Sequence, residues 1–435
     1  MQYIILLVFG LIAILTGESH IISALIVIQL IFFTVFLSYY IKTNNVLFIT
    51  ISLVLFIKYI FIPLLINNAY ANTISKFNYR PDSLISAQVI TLTFTIFFFI
   101  GHILNNRGKI HQYNFSKTRL NFYAKSLLFA LVIVGVLFSF RLYGELLTSD
   151  NRFETTSGQG ILFFFGYAGY FLTCYFVYKY LNKKTKIYIV VFIAVLCGMF
   201  FLLRFHRGGF LYPLAFLILG VMGNKFETKK IIFVAVLLVP VLMELNIISS
   251  AIRSNVLKDS FSVDNIYEST IEENSNFTIP LAFGHIELLA VLEEKENFNS
   301  DYFSTLKASF FNWIPRSLIG SKPTSTGPIL AKKIFPDTIQ INGGYDSSLT
   351  TDLIVELFYN FKFLFFLPAL FLGYLFEKVN RWVIEQQNYM FFIVFIWLFG
   401  FIVFFDDLGG WINKVFFIFI IGLTINYLNK LIVSK

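Results

Sequence analysis

The chain reads as an all-α, polytopic membrane protein of about twelve transmembrane helices with one large extracytoplasmic loop between the ninth and tenth. Three observations predict this. Of 435 residues, 57% are hydrophobic and 19% aromatic, including 56 Phe and 23 Tyr. Only 14% are charged, where a soluble domain carries about 25%. The apolar residues fall in runs of spanning length, interrupted by one polar stretch over roughly 250–350. So much apolar surface has to face lipid.

Spanning a bilayer takes about 17 to 25 mostly apolar residues. The runs of that kind cover 2–16, 21–41, 46–66, 84–104, 125–147, 160–181, 187–203, 210–223 and 231–249, then 351–376, 389–405 and 414–429. The organisation is therefore helices 1–9 in 1–249, the large loop in 250–350 and helices 10–12 in 351–435. The first run lacks a basic segment before it and a small-residue cleavage site after it, so it reads as a retained helix. Cys174 and Cys197 lie inside apolar runs, and no disulfide framework is implied.

Basic residues set the expected orientation, because Lys and Arg collect in short cytoplasmic loops. With the N-terminus inside, Arg107, Lys109 and Lys117, Lys183, Lys184 and Lys186, and Lys225, Lys229 and Lys230 all fall on the cytoplasmic side. The short outer loops hold only Lys76, Arg80, Arg152, Arg204 and Arg207. Both termini are then cytoplasmic and the 250–350 loop is outside. The same distribution accounts for the formal charge of +9 without any nucleic-acid partner. No internal repeat is visible. The unequal division of helices around the loop counts against the two related halves of many carriers.

Candidate functional residues gather toward the outer side. Arg204, His206 and Arg207 stand between two apolar runs, followed by Gly208-Gly209. Arginine offers a planar fork of donors suited to phosphate oxygens, and glycines let a ligand approach the backbone. A snorkelling pair at the interface is the structural alternative. Asp352, Glu356, Tyr359 and Asn360 recur at helical spacing and so share one face of a helix entering the membrane. A buried carboxylate there suits proton exchange, with Glu356 ahead of Asp352 because it sits deeper. The alternative is a polar stripe satisfied by neighbours, with Lys58, Arg141 and Lys362 as possible partners.

The loop adds Arg253 and the pair His285 and Glu287, where a histidine facing outward can act as a base. Arg316 and Lys322 lie in an aromatic and proline-bearing run, Trp313 to Pro323, suited to sugar binding or to a structural turn. Arg152 is a further outer cation. Asp406-Asp407 is an acidic pair that reads as a solvated loop, with a divalent-cation site as the alternative. There is no P-loop, no Rossmann glycine motif and no His-x-x-x-His pair, so no cofactor or metal is expected and any transferase here uses a preactivated donor.

Taken with the large outer loop, three stretches resemble the O-antigen polymerase (Wzy-type) family of oligosaccharide repeat-unit polymerases. They are Arg204–Gly209, Ile314-Pro315-Arg316 with Lys322-Pro323, and Gly343-Gly344 through Tyr359-Asn360-Phe361. Where many relatives carry Asn-Phe-Gly, this chain has Asn360-Phe361-Lys362. The resemblance implies a membrane glycosyltransferase that joins undecaprenyl-diphosphate-linked oligosaccharides at the outer face of the bacterial inner membrane, in lipopolysaccharide or related polysaccharide biosynthesis. It implies Arg204 and Arg207 as neutralisers of the diphosphate leaving group. Glu356, Asp352 or His285 would activate the acceptor hydroxyl. Arg152, Arg253, Arg316, Lys322 and Tyr359 would bind diphosphate or glycan, and a chain-length regulator protein is a candidate partner. Two other readings remain open. A flippase of lipid-linked oligosaccharides is compatible with Lys58, Arg141 and Lys179 inside helices, and an O-antigen ligase would use the same donor.

Overall fold

A computed structural model describes residues 20–61, 81–106, 108–148, 163–202, 287–293, 303–311, 326–327, 329–330, 351–404 and 408–430. Among them the chain is helical, with no strand. Among the described residues, four helices are long and apolar enough to cross a membrane, within Ala24–Thr43, Asp82–Asn106, Phe122–Arg141 and Leu408–Lys430. Large apolar side chains on them point outward, such as Leu137 on the third and Leu423 on the fourth. That outward face matches a lipid environment.

The helices are α1 His20–Thr43, α2 Val46–Phe56, α3 Pro81–Asn106, α4 Phe122–Thr148, α5 Phe163–Leu181 and α6 Ile187–Leu202. They are followed by α7 Ser304–Phe311, α8 Leu353–Phe361, α9 Phe366–Glu385, α10 Tyr389–Phe395 and α11 Leu408–Lys430. Polar residues start several of them. Asn45, Asp352 and Asn388 are the N-caps of α2, α8 and α10, each accepting from a backbone N–H of the first turn. Two helices relax into π turns, α2 over Ile57–Phe61 and α10 over Ile396–Phe401. A 3-10 turn over Ile402–Phe404 follows the second. The expected spans 210–223 and 231–249, the first run at 2–16 and Asp406-Asp407 lie outside the described residues.

The expected single helix over 351–376 is in fact two. Helix α8 ends at Lys362, where φ is 50° and ψ is −128°. A 3-10 turn over Lys362–Leu364 then leads into α9. A positive φ is a backbone setting that glycine takes without strain and lysine does not.

The chain forms two compact units. The first draws on the described residues within Met1–Gln112, Thr278–Trp382 and Leu398–Asn413. Here α1 packs on α2 and α3, and α3 meets α9 through a pair of glycines. A Cβ on Gly101 would collide with the backbone carbonyl of Leu370, and one on Gly373 with that of Phe98. Small residues let membrane helices approach this closely, and packing then holds them together. Asn105 on α3 donates to the Tyr374 carbonyl at 2.9 Å, adding a polar tie across the same crossing.

The second unit draws on the described residues within Tyr113–Phe277, Val383–Trp397 and Lys414–Lys435. Its centre is α5, packed against α4, α6 and α10. Tyr170 of α5 is fully buried and meets the ring of Trp397 edge-on at 4.7 Å. Cys174 and Cys197 are free thiols buried in this packing.

Candidate functional site

The candidate site belongs to the first unit and is organised by the start of α8. Asp352 precedes the first turn of that helix. One of its oxygens accepts the backbone N–H groups of Ile354 and Val355, both at 3.0 Å. Its other oxygen receives the Lys58 ammonium at 2.8 Å. The ion pair is closed to solvent, with Lys58 2% and Asp352 0% exposed. Lys58 comes from the π turn that ends α2, and it also donates to the carbonyl of Phe404. A buried cation is thus matched by a carboxylate and a carbonyl, which is what desolvated charge requires. Of the three cations considered as partners for the acidic face, Lys58 is the one paired with Asp352, and Arg141 is exposed on α4.

Glu356 sits one turn deeper and is 1% exposed. Its carboxylate is caged by hydroxyls. Thr326 donates to Oε2 at 2.8 Å, and Thr351 donates to Oε1 at 3.0 Å. The Thr305 hydroxyl lies 3.4 Å from Oε2 and 2.7 Å from the Thr326 hydroxyl. Each hydroxyl has a single proton. Thr326 directs its proton to Glu356 Oε2 or to the Thr305 oxygen, and Thr305 directs its own to Glu356 Oε2 or to Asn360 Oδ1, 3.0 Å away.

Asn360 completes the arrangement and joins α8 to α7. Its Nδ2 donates to the Glu356 carbonyl at 2.8 Å and to the Thr305 hydroxyl at 2.7 Å. Its Oδ1 accepts the backbone N–H groups of Thr305 at 3.2 Å and Leu306 at 3.1 Å. Those two N–H groups open α7 and have no partner within their own helix, so Asn360 caps α7 from another element. The amide therefore fixes residues of the long polar segment against the helix that carries Glu356.

Of the residues expected at a site, Asp352, Glu356 and Tyr359 are described, and all three are buried. Asp352 is not on the helical face as the spacing suggested. It is the cap before the first turn, and its charge is directed to Lys58. Arg152, Arg204, Arg207, Arg253, His285, Arg316 and Lys322 lie outside the described residues. Glu287 begins the short helical stretch 287–293 and is buried.

A second buried polar cluster, absent from the sequence reading, lies in the same unit at the far end of α2. Between Asn45 and Lys58 that helix rises about 20 Å at 1.5 Å per residue. Glu377 of α9 is at the centre. Its oxygens lie 3.3 Å from His102 Nδ1 on α3 and 3.3 Å from His111 Nε2. Asn45 donates to it at 2.9 Å, and Arg381 approaches at 3.3 Å from the next turn of α9. Asn380 ties the group back to Asn45 at 3.2 Å. The signal was present in the sequence: His102 and Glu377 are ionisable residues inside or abutting apolar runs, and such residues are usually paired or functional. The cluster reads as a knot that binds α1, α2, α3 and α9 at one end, because Asn45, His102, His111 and Arg381 converge on Glu377 and the Tyr40 ring of α1 meets His102 edge-on at 4.8 Å.

Comparison with known proteins adds no relative. No protein-family model, no curated protein and no solved structure matches the chain.

Proposed function

We propose that this protein is a membrane glycosyltransferase that polymerises oligosaccharide repeat units carried on undecaprenyl diphosphate, making O-antigen or a related surface polysaccharide. In this reading about twelve helices cross the bacterial inner membrane, both termini are cytoplasmic, and the 250–350 segment works at the outer face. The observation that carries the reading is the cage around Glu356. It is a buried carboxylate on a helix, and its hydroxyl partners Thr305 and Thr326 come from the polar segment that would hold a glycan.

The reaction exchanges one bond for another. The acceptor hydroxyl oxygen bonds to the anomeric carbon of the donor chain, and the bond from that carbon to the lipid diphosphate breaks. The hydroxyl proton passes to Glu356, which acts as general base. Glu356 is 1% exposed, so the sugar hydroxyl reaches it by taking the place of the Thr305 and Thr326 hydroxyls. Asp352 is committed to Lys58 and to capping α8, so its part is to position Glu356 one turn further on. Arg204 and Arg207 would neutralise the departing diphosphate. Arg152, Arg253, Arg316, Lys322 and Tyr359 would orient donor and acceptor glycans, supplying proximity.

A flippase reading rests on cations inside helices, Lys58 first among them. Lys58, the most buried candidate for that role, already faces Asp352. The test is deletion of the gene in its source cell, with the surface glycan resolved by size on a gel. A single repeat unit remaining on the core, with the ladder lost, supports polymerisation. Absence of even one unit favours the flippase or ligase reading and overturns this one.

A further inference from the structure

The second unit carries an open cavity of about 1140 Å³ that the reading above does not use. Five cations line it: Lys117, Arg119, Lys179, Lys184 and Lys430. Among the described residues, no carboxylate does. So many like charges around one volume repel each other, and an anion between them relieves that repulsion. The rest of the wall adds donors and aromatic faces. Tyr175 carries the Lys179 ammonium 5.3 Å from its ring centroid.

The cavity sits where helices of this unit begin and end. Lys430 closes α11, and Lys179 and Lys184 flank the end of α5. Asn121 precedes α4 and accepts the Ala124 N–H at 2.8 Å, while Asn388 caps α10 and accepts that of Met390 at 3.0 Å. Both asparagines line the cavity. The positive end of the α4 dipole is directed to this region, and Lys179 and Lys430 match the negative ends of α5 and α11 there. Next to the lining residues, Phe122, Tyr123 and Tyr427 are exposed. Exposed aromatics at helix ends are typical of the membrane interface, the depth at which lipid phosphates lie.

We propose that this cavity binds a phosphate-bearing anionic ligand, with the headgroup of an anionic phospholipid as its source. A volume of about 1140 Å³ slightly exceeds the usual range of small-molecule pockets, about 300–1000 Å³. It accommodates a phosphate headgroup with its glycerol and the first part of the chains. In the orientation proposed above, the ligand comes from the cytoplasmic leaflet. The proposal does not depend on the Glu356 chemistry.

The test uses the full-length purified protein and native mass spectrometry, titrating cardiolipin with and without sodium pyrophosphate. Lys117, Arg119 and Lys184 have exposed side chains, so K117Q/R119Q/K184Q should fold normally, which an unchanged melting temperature checks. The control is K42Q/K109Q/K378Q, an equal loss of exposed charge from the first unit. Wild type and control should hold cardiolipin with affinities within twofold of each other. The cavity variant should bind at least about tenfold more weakly. Pyrophosphate should displace the lipid. Pyrophosphate binding that is lost in the cavity variant, with no cardiolipin binding at all, supports the phosphate site and makes a free phosphate its source. Equal binding of both probes by wild type and cavity variant, or an equal loss in the control, would overturn the proposal.

Discussion

The ammonium of Lys58 lies 2.8 Å from Asp352 Oδ2, joining the π turn after α2 to the cap of α8 with both side chains closed to water. Removing one partner of such a pair leaves a buried charge without compensation. Lys58→Met should therefore lower stability by about 3–5 kcal/mol. Asp352→Asn keeps a good helix cap but also strands the lysine. The double variant K58M/D352N should recover most of the loss, read as the melting temperature of the detergent-purified protein. A double variant no better than the worse single one would show that the two side chains act separately.

Asn360 supplies the cap of α7 from a different helix. Asn360→Ala should remove the acceptor for the Thr305 and Leu306 N–H groups and lower stability by about 2 kcal/mol. Hydrogen exchange should show the amides of 304–307 losing protection while those of α1 are unchanged. Equal loss of protection in both would mean that Asn360 supports the unit as a whole.

Gly101 and Gly373 face each other's helix backbones, so each protects the same close crossing of α3 and α9. Gly101→Val or Gly373→Val forces the helices apart and should cost about 3 kcal/mol or more. The double variant should lose little beyond the worse single one, because both break one contact. Additive losses in thermal unfolding would contradict a shared crossing.

Lys362 holds a positive φ, which strains a residue with a Cβ. Lys362→Gly should raise stability by about 1 kcal/mol, seen as a higher melting temperature. A fall would mean that the lysine side chain contributes more than its backbone setting takes away.

Hydropathy made most of the helical pattern legible. The runs 187–203 and 125–147 differ by only a few residues from α6 Ile187–Leu202 and α4 Phe122–Thr148. What it missed, it missed for physical reasons. No proline or glycine stands at the turn around Lys362 itself, and a positive φ has no hydropathy; Pro368, in the first turn of α9, was the legible sign of a new helix start. Asp352 had the helical spacing of a face residue. An Asp just before an apolar run is also a cap signal, and that role prevailed. Lys58 was legible as a possible partner, because a lysine deep in an apolar run needs a carboxylate. The Thr305 and Thr326 cage was not, since only the fold brings those threonines to Glu356. The ionisable residues of the Glu377 knot were visible in apolar runs, but their convergence was not, since its two histidines and its carboxylate come from separate parts of the chain.

The most direct test of the central claim is Glu356→Gln placed at the native locus. The surface glycan is resolved by size on a gel, and the protein level is checked by immunoblot. Glutamine keeps the shape and hydrogen-bonding capacity of the caged side chain but cannot take the acceptor proton. The expected result is normal protein level, loss of long chains and a single repeat unit still attached to its acceptor. A full-length ladder at normal protein level would contradict Glu356 as the base and the account built on it.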